Sequence, residues 1–247
     1  MSKVVKIDAS GVYYRDLNAR LREYVQDGTG HIELVNVCGQ RYIGTDLHKA
    51  VQIDIYGVPG NDLGAFMDGP RIVVHGNAQD GLGNTMNSGE IVVHGHAGDI
   101  LAMSARGGKI FIKEDVGYRA GIHMKEYKDK KPLVAIGGTA QDFLGEYMAG
   151  GILVVGLTLS DDEFHRANFI GTGMHGGIIY LRGQVQDYQL GKEVGVAELE
   201  DKDRSILQGL AGEFAQHFGL DAASIMRGKF LKLYPRYLRP YGRLYAY

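Results

Sequence analysis

The chain has 247 residues, 45% of them apolar, and a formal net charge of −2, so it can build a core for one large domain or two small ones. That near-neutral balance argues against general nucleic-acid binding and gives no electrostatic pull to a membrane, and no apolar run approaches the roughly 18 residues of a membrane span. Cys38 is the only cysteine, which excludes intrachain disulfides and any zinc or iron–sulfur site needing several thiolates from this chain; one thiol and no leader pattern suit a reducing cytoplasm.

In chain order, residues 12–27 read as a helix, with Leu17, Leu21, Tyr24 and Val25 on one face and Asp16-Leu17-Asn18 near its start. A repeat follows. Thirty-seven glycines against five prolines, without collagen's triplets, point to many tight corners. Gly39, Gly57, Gly76, Gly95, Glu114 in place of Gly, Gly138, Gly156 and Gly183 each end a short apolar run, at spacings of 18, 19, 19, 19, 24, 18 and 27. Two and four residues before each anchor stand Val35/Val37, Ile53/Ile55, Ile72/Val74, Ile91/Val93, Ile110/Ile112, Val134/Ile136, Ile152/Val154 and Ile179/Leu181. Sixteen aliphatic residues at period two predict strands with one face buried.

A second anchor follows at Gly64, Gly83, Ala102, Gly121, Gly145 and Gly171. Three residues beyond it lie Met67, Met86, Ala105, Met124, Met148 and Met174, and three before it Asn61, Asp80, Asp99, Tyr118, Asp142 and Asn168. The pattern predicts a single-stranded right-handed parallel β-helix of about seven to eight turns, each of roughly 19 residues at ~3.3 Å per residue. The Met column fills the interior, the Asn/Asp column bonds corner backbone, and Gly supplies positive φ. Residues 125–133 and 157–167 are expected as solvent loops. A second helix is expected over 203–218, with Ile206, Leu207, Leu210 and Phe214 apolar, and Asp221 is placed to cap a third. The two long helices are expected to cap the coil, giving a cap over 1–30, the β-helix over 31–190 and a C-terminal segment over 191–247. That segment ends in an Arg/Tyr tail running to Tyr247, and no acidic residue follows Asp221.

Few groups point to chemistry. His75 and His94 are equivalent on neighbouring rungs and read as an outward ladder; two imidazoles fall short of a metal site's three or four ligands. Asp80, Asp99 and Asp142 are paired by the repeat, so corner capping explains them better than acid–base work. Asp161, Asp162, Glu163 and His165 read as a solvated loop before a metal patch. Cys38, with His31 or His48 as a base, lacks any nucleophile signature. Gly171-Thr172-Gly173-Met174-His175-Gly176 has dinucleotide-loop spacing but precedes a strand where that fingerprint must open a helix. The catalytic, cofactor and metal sets of this chain are therefore expected to be empty. The residues singled out are structural corners, Gly57, Gly64, Gly76, Gly83, Gly95, Gly121, Gly138, Gly145, Gly156 and Gly171, and partner-docking side chains, Arg236, Arg239, Tyr241 and Arg243, since Tyr and Arg are favoured at interfaces.

The rungs Gly76-Asn77-Ala78-Gln79-Asp80-Gly81-Leu82-Gly83 and Gly138-Thr139-Ala140-Gln141-Asp142-Phe143-Leu144-Gly145, with Asp16-Leu17-Asn18 and Arg239-Pro240-Tyr241, resemble the C-terminal GXGXG β-helix domain of the glutamate synthase large subunit. The resemblance covers nearly the whole chain and is specific in its rungs, not in a catalytic motif. It implies a non-catalytic scaffold, here free-standing, of a complex in which a class II glutaminase subunit releases ammonia and an FMN barrel with an iron–sulfur cluster forms glutamate. Ser2 stands where the glutaminase nucleophile would be a cysteine. The same β-helix resembles one subunit of formylmethanofuran dehydrogenase, a tungsten or molybdenum enzyme, and one of N-methylglutamate synthase. A stand-alone binding module that associates with itself is the other alternative.

Overall fold

In the computed structural model, which describes residues 4–237, the alternation of aliphatic residues is realised as one continuous sheet. Its strands in chain order are β1 (Val4–Asp8), β2 (His31–Cys38), β3 (Gln52–Val58), β4 (Asp68–Val74), β5 (Ser88–Val93), β6 (Lys109–Ile112), β7 (Leu133–Ile136), β8 (Ala149–Val155), β9 (Gly176–Arg182), β10 (Val194–Ala197) and β11 (Phe230–Pro235). The order in space is β1 through β9 in sequence, then β11 and β10. Pairing from β1 to β9 is parallel, and past α1 the chain winds around a closed apolar interior as a β-solenoid of about six turns. The expectation of seven to eight counted the rungs at Gly39 and Gly183 as closed. At the first the chain arrives from a helix, and past the second it keeps only isolated parallel bridges, at Gln184 and Leu190, before β10 and β11 pair antiparallel.

Two columns fill the interior behind the strands: Ile32, Ile53, Ile72, Ile91, Ile110, Val134, Leu153 and Ile179, and Leu34, Ile55, Val74, Val93, Ile112, Ile136, Val155 and Leu181. Met67, Met86, Ala105, Met124, Met148 and Met174 close the interior from the other side. Two rungs depart from the expected register. A bulge between Leu34 and Val37, with Asn36 at φ 57°, turns Leu34 inward in place of Val35. In β8, Val155 pairs with Ile136, so Gly156 stands one position early in its rung. Leu153 and Val155 therefore face inward, and Ile152 and Val154 face out.

Helix α1 (Tyr14–Gln26) closes the first end of the coil with Leu17, Leu21 and Val25; Tyr24, expected on that face, is exposed. Asn18 is buried with them, and its amide donates to the carbonyls of Tyr14 and Arg41, tying the helix to the first corner at 2.8 Å each. Helix α2 (Asp201–Phe218) does not cap the other end. It lies along the outer face of the sheet, where Leu207, Leu210, Ala211 and Phe214 pack on Val73, Val92, Phe111, Ala135, Val154 and Tyr180. Each fully buried Leu or Phe there contributes about 1.5–3 kcal/mol. Glu200 and Asp203 form its capping box. Buried Asp203 also accepts from the Tyr180 hydroxyl (2.6 Å) and the Lys232 ammonium (2.8 Å), pinning the helix to β9 and β11. Burial raises its pKa, but these bonds outweigh that and hold the carboxylate below its usual range. Asp221 caps α3 (Ala222–Met226) as expected. Val194 and Leu233, from the antiparallel pair β10 and β11, reach into the interior at the far end.

The loop expectations hold only in part. Leu133 opens β7, while Leu157, His165 and Ala167 are buried, Leu157 beneath α2.

Candidate functional site

The corner glycines divide into two classes. Gly57, Gly64, Gly83, Gly121, Gly145, Gly156 and Gly171 have positive φ. Gly76, Gly95 and Gly138 do not; a Cβ at Gly76 would only press on the Gly57 carbonyl at 3.2 Å, whereas a different constraint requires Gly95 and Gly138. A Cβ at Gly95 would fall on the Asn77 Oδ1 of the preceding rung, at the place from which that oxygen accepts the His96 N–H (3.0 Å). Asp115 and Gly138 repeat the arrangement, with the Thr139 N–H as donor (2.8 Å). Along the neighbouring column Asp80 accepts from Asp99 N, Asp99 from Tyr118 N and Asp142 from Asn168 N. Each carboxylate thus caps the next rung's backbone; Gly98 leaves the room beside Asp80 and Gly117 beside Asp99, whereas Ala167 holds the equivalent place at Asp142.

The outward histidines are more closely built than a simple ladder. Asp54 is buried on the outer face of β3 and shared by two imidazoles: His31 Nε2–H donates to Oδ2 (2.7 Å) and His75 Nε2–H to Oδ1 (2.9 Å). Gln52 also donates to Oδ2 (2.8 Å). Burial alone would raise the pKa of Asp54; the three donors more than offset it and hold the carboxyl below its ordinary value. Tyr56, His75 and His94 stack face to face at 4.4 and 5.5 Å, and the edge of Phe218 from α2 closes the stack. Desolvation, then the positive neighbours His75 and Lys113, depress the pKa of half-buried His94. The Nε2 atoms of His31 and His75 are both turned onto the carboxylate. Among the described residues, no group of three or more His, Cys, Asp or Glu is placed to hold a metal.

The remaining candidates separate. Cys38 is exposed at the end of β2, while His31 serves Asp54 and His48 pairs with Asp46. Asp161 holds Arg182 and the Lys229 N–H, and Glu163 accepts from Ser160 N. His165 is buried apart from them: Nε2–H donates to the Arg182 carbonyl (2.8 Å), Nδ1 faces the Thr139 hydroxyl, and desolvation lowers its pKa. The Gly171–Gly176 segment leads into β9, as strand spacing requires. Arg236 is exposed, its N–H donating to the Glu193 carbonyl (2.8 Å). Arg239, Tyr241 and Arg243 lie outside the described residues.

One surface escaped the repeat reading. Two residues before and two after the second anchor, the chain adopts left-handed φ on successive rungs, Gly or not. One column runs Tyr42, Asp62, Gly81, Ile100, Arg119, Phe143, Phe169; the other Asp46, Phe66, Thr85, Ser104, His123, Tyr147, Gly173. Most of their side chains lie at the surface. On the upper rungs they form a platform: the Arg119 guanidinium covers Phe143 at 4.4 Å, Phe143 stacks on Phe169 at 4.9 Å, and His123 stacks on Tyr147 at 5.5 Å. Arg119 is held by an ion pair with buried Glu146. Left-handed backbone costs a non-glycine residue roughly 1–2 kcal/mol, and bulky residues are uncommon there. The bonds from Phe143 N to Asn168 O and from Tyr147 N to Thr172 O (2.9 Å each) enforce it, so the platform keeps aromatics where Asn or Gly would fit more easily. The signal in the sequence is the second anchor flanked at ±2 by aromatics on successive rungs.

With this geometry the chain can be set beside known proteins. It is 48% identical to an uncharacterized protein of Methanocaldococcus jannaschii, over all of this chain and 97% of that protein. The family model described as GXGXG motif matches residues 26–241, from the end of α1 through every rung. The chain belongs to the GXGXG motif family.

Proposed function

We propose that this chain is the non-catalytic β-helix subunit of a glutamate-synthase-type complex, bracing a class II glutaminase subunit and an FMN-barrel subunit. FMN and the iron–sulfur cluster then belong to those partners, and glutamate is formed from glutamine-derived ammonia on the barrel. The observation that carries this reading is the GXGXG match across the coil, joined to the way polar groups of the rungs are engaged inside the fold. The Asx columns cap backbone and Asp54 binds two histidines, an arrangement suited to rigidity. A stiff rod with every rung locked to the next is what holding two active centres at a fixed separation requires. Arg236 stands exposed where the chain leaves β11, and with Arg239, Tyr241 and Arg243 it is proposed for partner docking.

The test is purification of the tagged chain from its native cells in mild salt. Co-elution of a chain carrying flavin absorbance, with glutamine-dependent glutamate formation by the assembly and none by this chain alone, is expected. Recovery of the chain without any flavoprotein, or with a molybdenum or tungsten enzyme, overturns the proposal.

A further inference from the structure

We propose that the end of α2 is a latch on the coil that a proton at His94 opens, releasing residues 216–220 while the strands and the first turns of the helix stay in place. The latch is the seam where the helix ends on the outer face of the sheet. Phe218 sets its edge on the His94 ring (5.2 Å), and His94 stacks on His75 (5.5 Å). Val73 and Val92 stand two residues before those histidines, on the same face of β4 and β5, and both are buried. Phe214, one turn back along the helix, lies over Gly137, two rungs beyond His94 in the same column.

Three imidazoles meet in the seam with two carboxylates. Asp54 holds His75 together with His31, and Glu90 holds Arg71 (2.8 Å) and faces His217 of α2 (3.5 Å). Among the described residues neither carboxylate bonds the His94 ring. From the strands it is faced by His75, Arg71 and Lys113, with Tyr56 stacked beyond His75, and from the helix by His217 and Phe218. The carbonyl end of α2 attracts positive charge, but His217 in the last turn takes that place. A proton on His94 therefore adds a charge without a counter-ion in a half-buried site, against the positive rim of the Phe218 ring. Burial first, and then the positive neighbours, hold its pKa below the ordinary 6.5 while the latch is closed. The latch is fully closed above 6.5 and weakens as pH falls from there to the pKa of the closed state. The rest of α2 is fastened by other chemistry: Asp203 to Tyr180 and Lys232, Glu213 to Lys109 (2.6 Å), and buried Leu207 and Leu210. Gly219, at φ 67° with open space where a Cβ would be, is the hinge. Opening bares Val92 beside the charged lower rungs. The inference does not depend on the scaffold reading, and it is tested with the purified chain alone.

The experiment is amide hydrogen exchange of the full chain at about pH 7.5 and about pH 5, corrected for the intrinsic exchange rates, with His94→Gln as the variant that stays neutral at both. Protection of amides 216–220 is expected to fall about tenfold at the lower pH, while that of 204–211 and of β4 to β6 holds, and the His94→Gln chain is expected to show no such fall. Equal protection of 216–220 at the two pH values overturns the proposal. A fall that persists in His94→Gln also overturns it and assigns the release to His217 and Glu90. Loss of protection in helix and strands together overturns it as well, since the coil is then opening with the helix. Should His94→Gln lose its fold, the His94 ring signal is titrated by NMR in the native chain. Its midpoint is expected to coincide with the midpoint of the lost protection, and a different midpoint overturns the proposal.

Discussion

The column Ile53, Ile72, Ile91, Ile110 and Val134 is aliphatic without a break, whereas the column beside it on the outer face of the same strands changes character midway. It runs Lys6, Glu33, Asp54, Val73, Val92, Phe111, Ala135, Val154, Tyr180. The first three are charged and ion-paired or hydrogen-bonded. From Val73 onward, where α2 lies on the sheet, every member is buried. Winding of the coil encloses the inner column on every rung, so its composition is dictated by the backbone alone. The outer column follows whatever covers it, and the change at Asp54/Val73 marks the edge of the helix's footprint.

Disturbing the inner column should be the most damaging change. Val93→Asp places an unpaired charge in a fully enclosed site and is expected to cost several kcal/mol, read as a collapsed denaturation midpoint. Native-like unfolding of that variant would refute the register. Next is the outer column under α2. Phe214→Ala should cost about 3–5 kcal/mol and raise hydrogen exchange in α2 and α3 while amides of β2 and β3 keep their protection. Equal loss everywhere would mean that helix and coil are one cooperative unit.

The bond between rungs comes third. Gly95→Ala collides with Asn77 Oδ1 and should cost about 1–3 kcal/mol; Asn77→Ala in the same chain should restore part of that, as a double-mutant cycle would show. His94→Ala, a nearly silent change for a free ladder, should cost about 1 kcal/mol, since the ring is half-buried between His75 and Phe218. Gentlest is pH. His165 is neutral in the folded chain, with a pKa below the ordinary 6.5. As pH falls through 6.5 the unfolded chain takes up the proton that the folded one refuses. Its contribution to stability is therefore lost from that point down to its folded pKa, and it returns as pH rises. His165→Gln should flatten that part of the stability–pH curve; an unchanged slope would exclude His165 as its origin.

How much of this was readable varies by residue. The interior of β3 to β7 was legible because alternation in a closed coil leaves no choice of face. β2 and β8 were misread by one position. A left-handed Asn36 and an early Gly156 each shift the phase, and neither carries a mark that separates it from an ordinary rung residue. The Asp80–Asp99 column was rightly assigned to corner capping, but its pairing with glycines beneath was missed, because that constraint acts between rungs about 19 residues apart. The His75/His94 ladder was legible as a column. Its anchor was not, since Asp54 lies two residues off that column's register on the preceding strand. The aromatic platform was hidden among glycine corners.

From sequence alone came the coil, its period, its aliphatic and methionine columns, the first helix, read over 12–27 and found over Tyr14–Gln26, and the cap at Asp221, all products of local spacing and the two-residue alternation of strands. Tertiary structure alone decided that α2 covers a face and leaves the end to β10 and β11, that Asp54 joins two histidines, and that strained aromatics share one corner. Those features depend on which surfaces meet after winding. Side chains a full turn apart become neighbours at ~4.8 Å, and no local pattern records what will then lie against them.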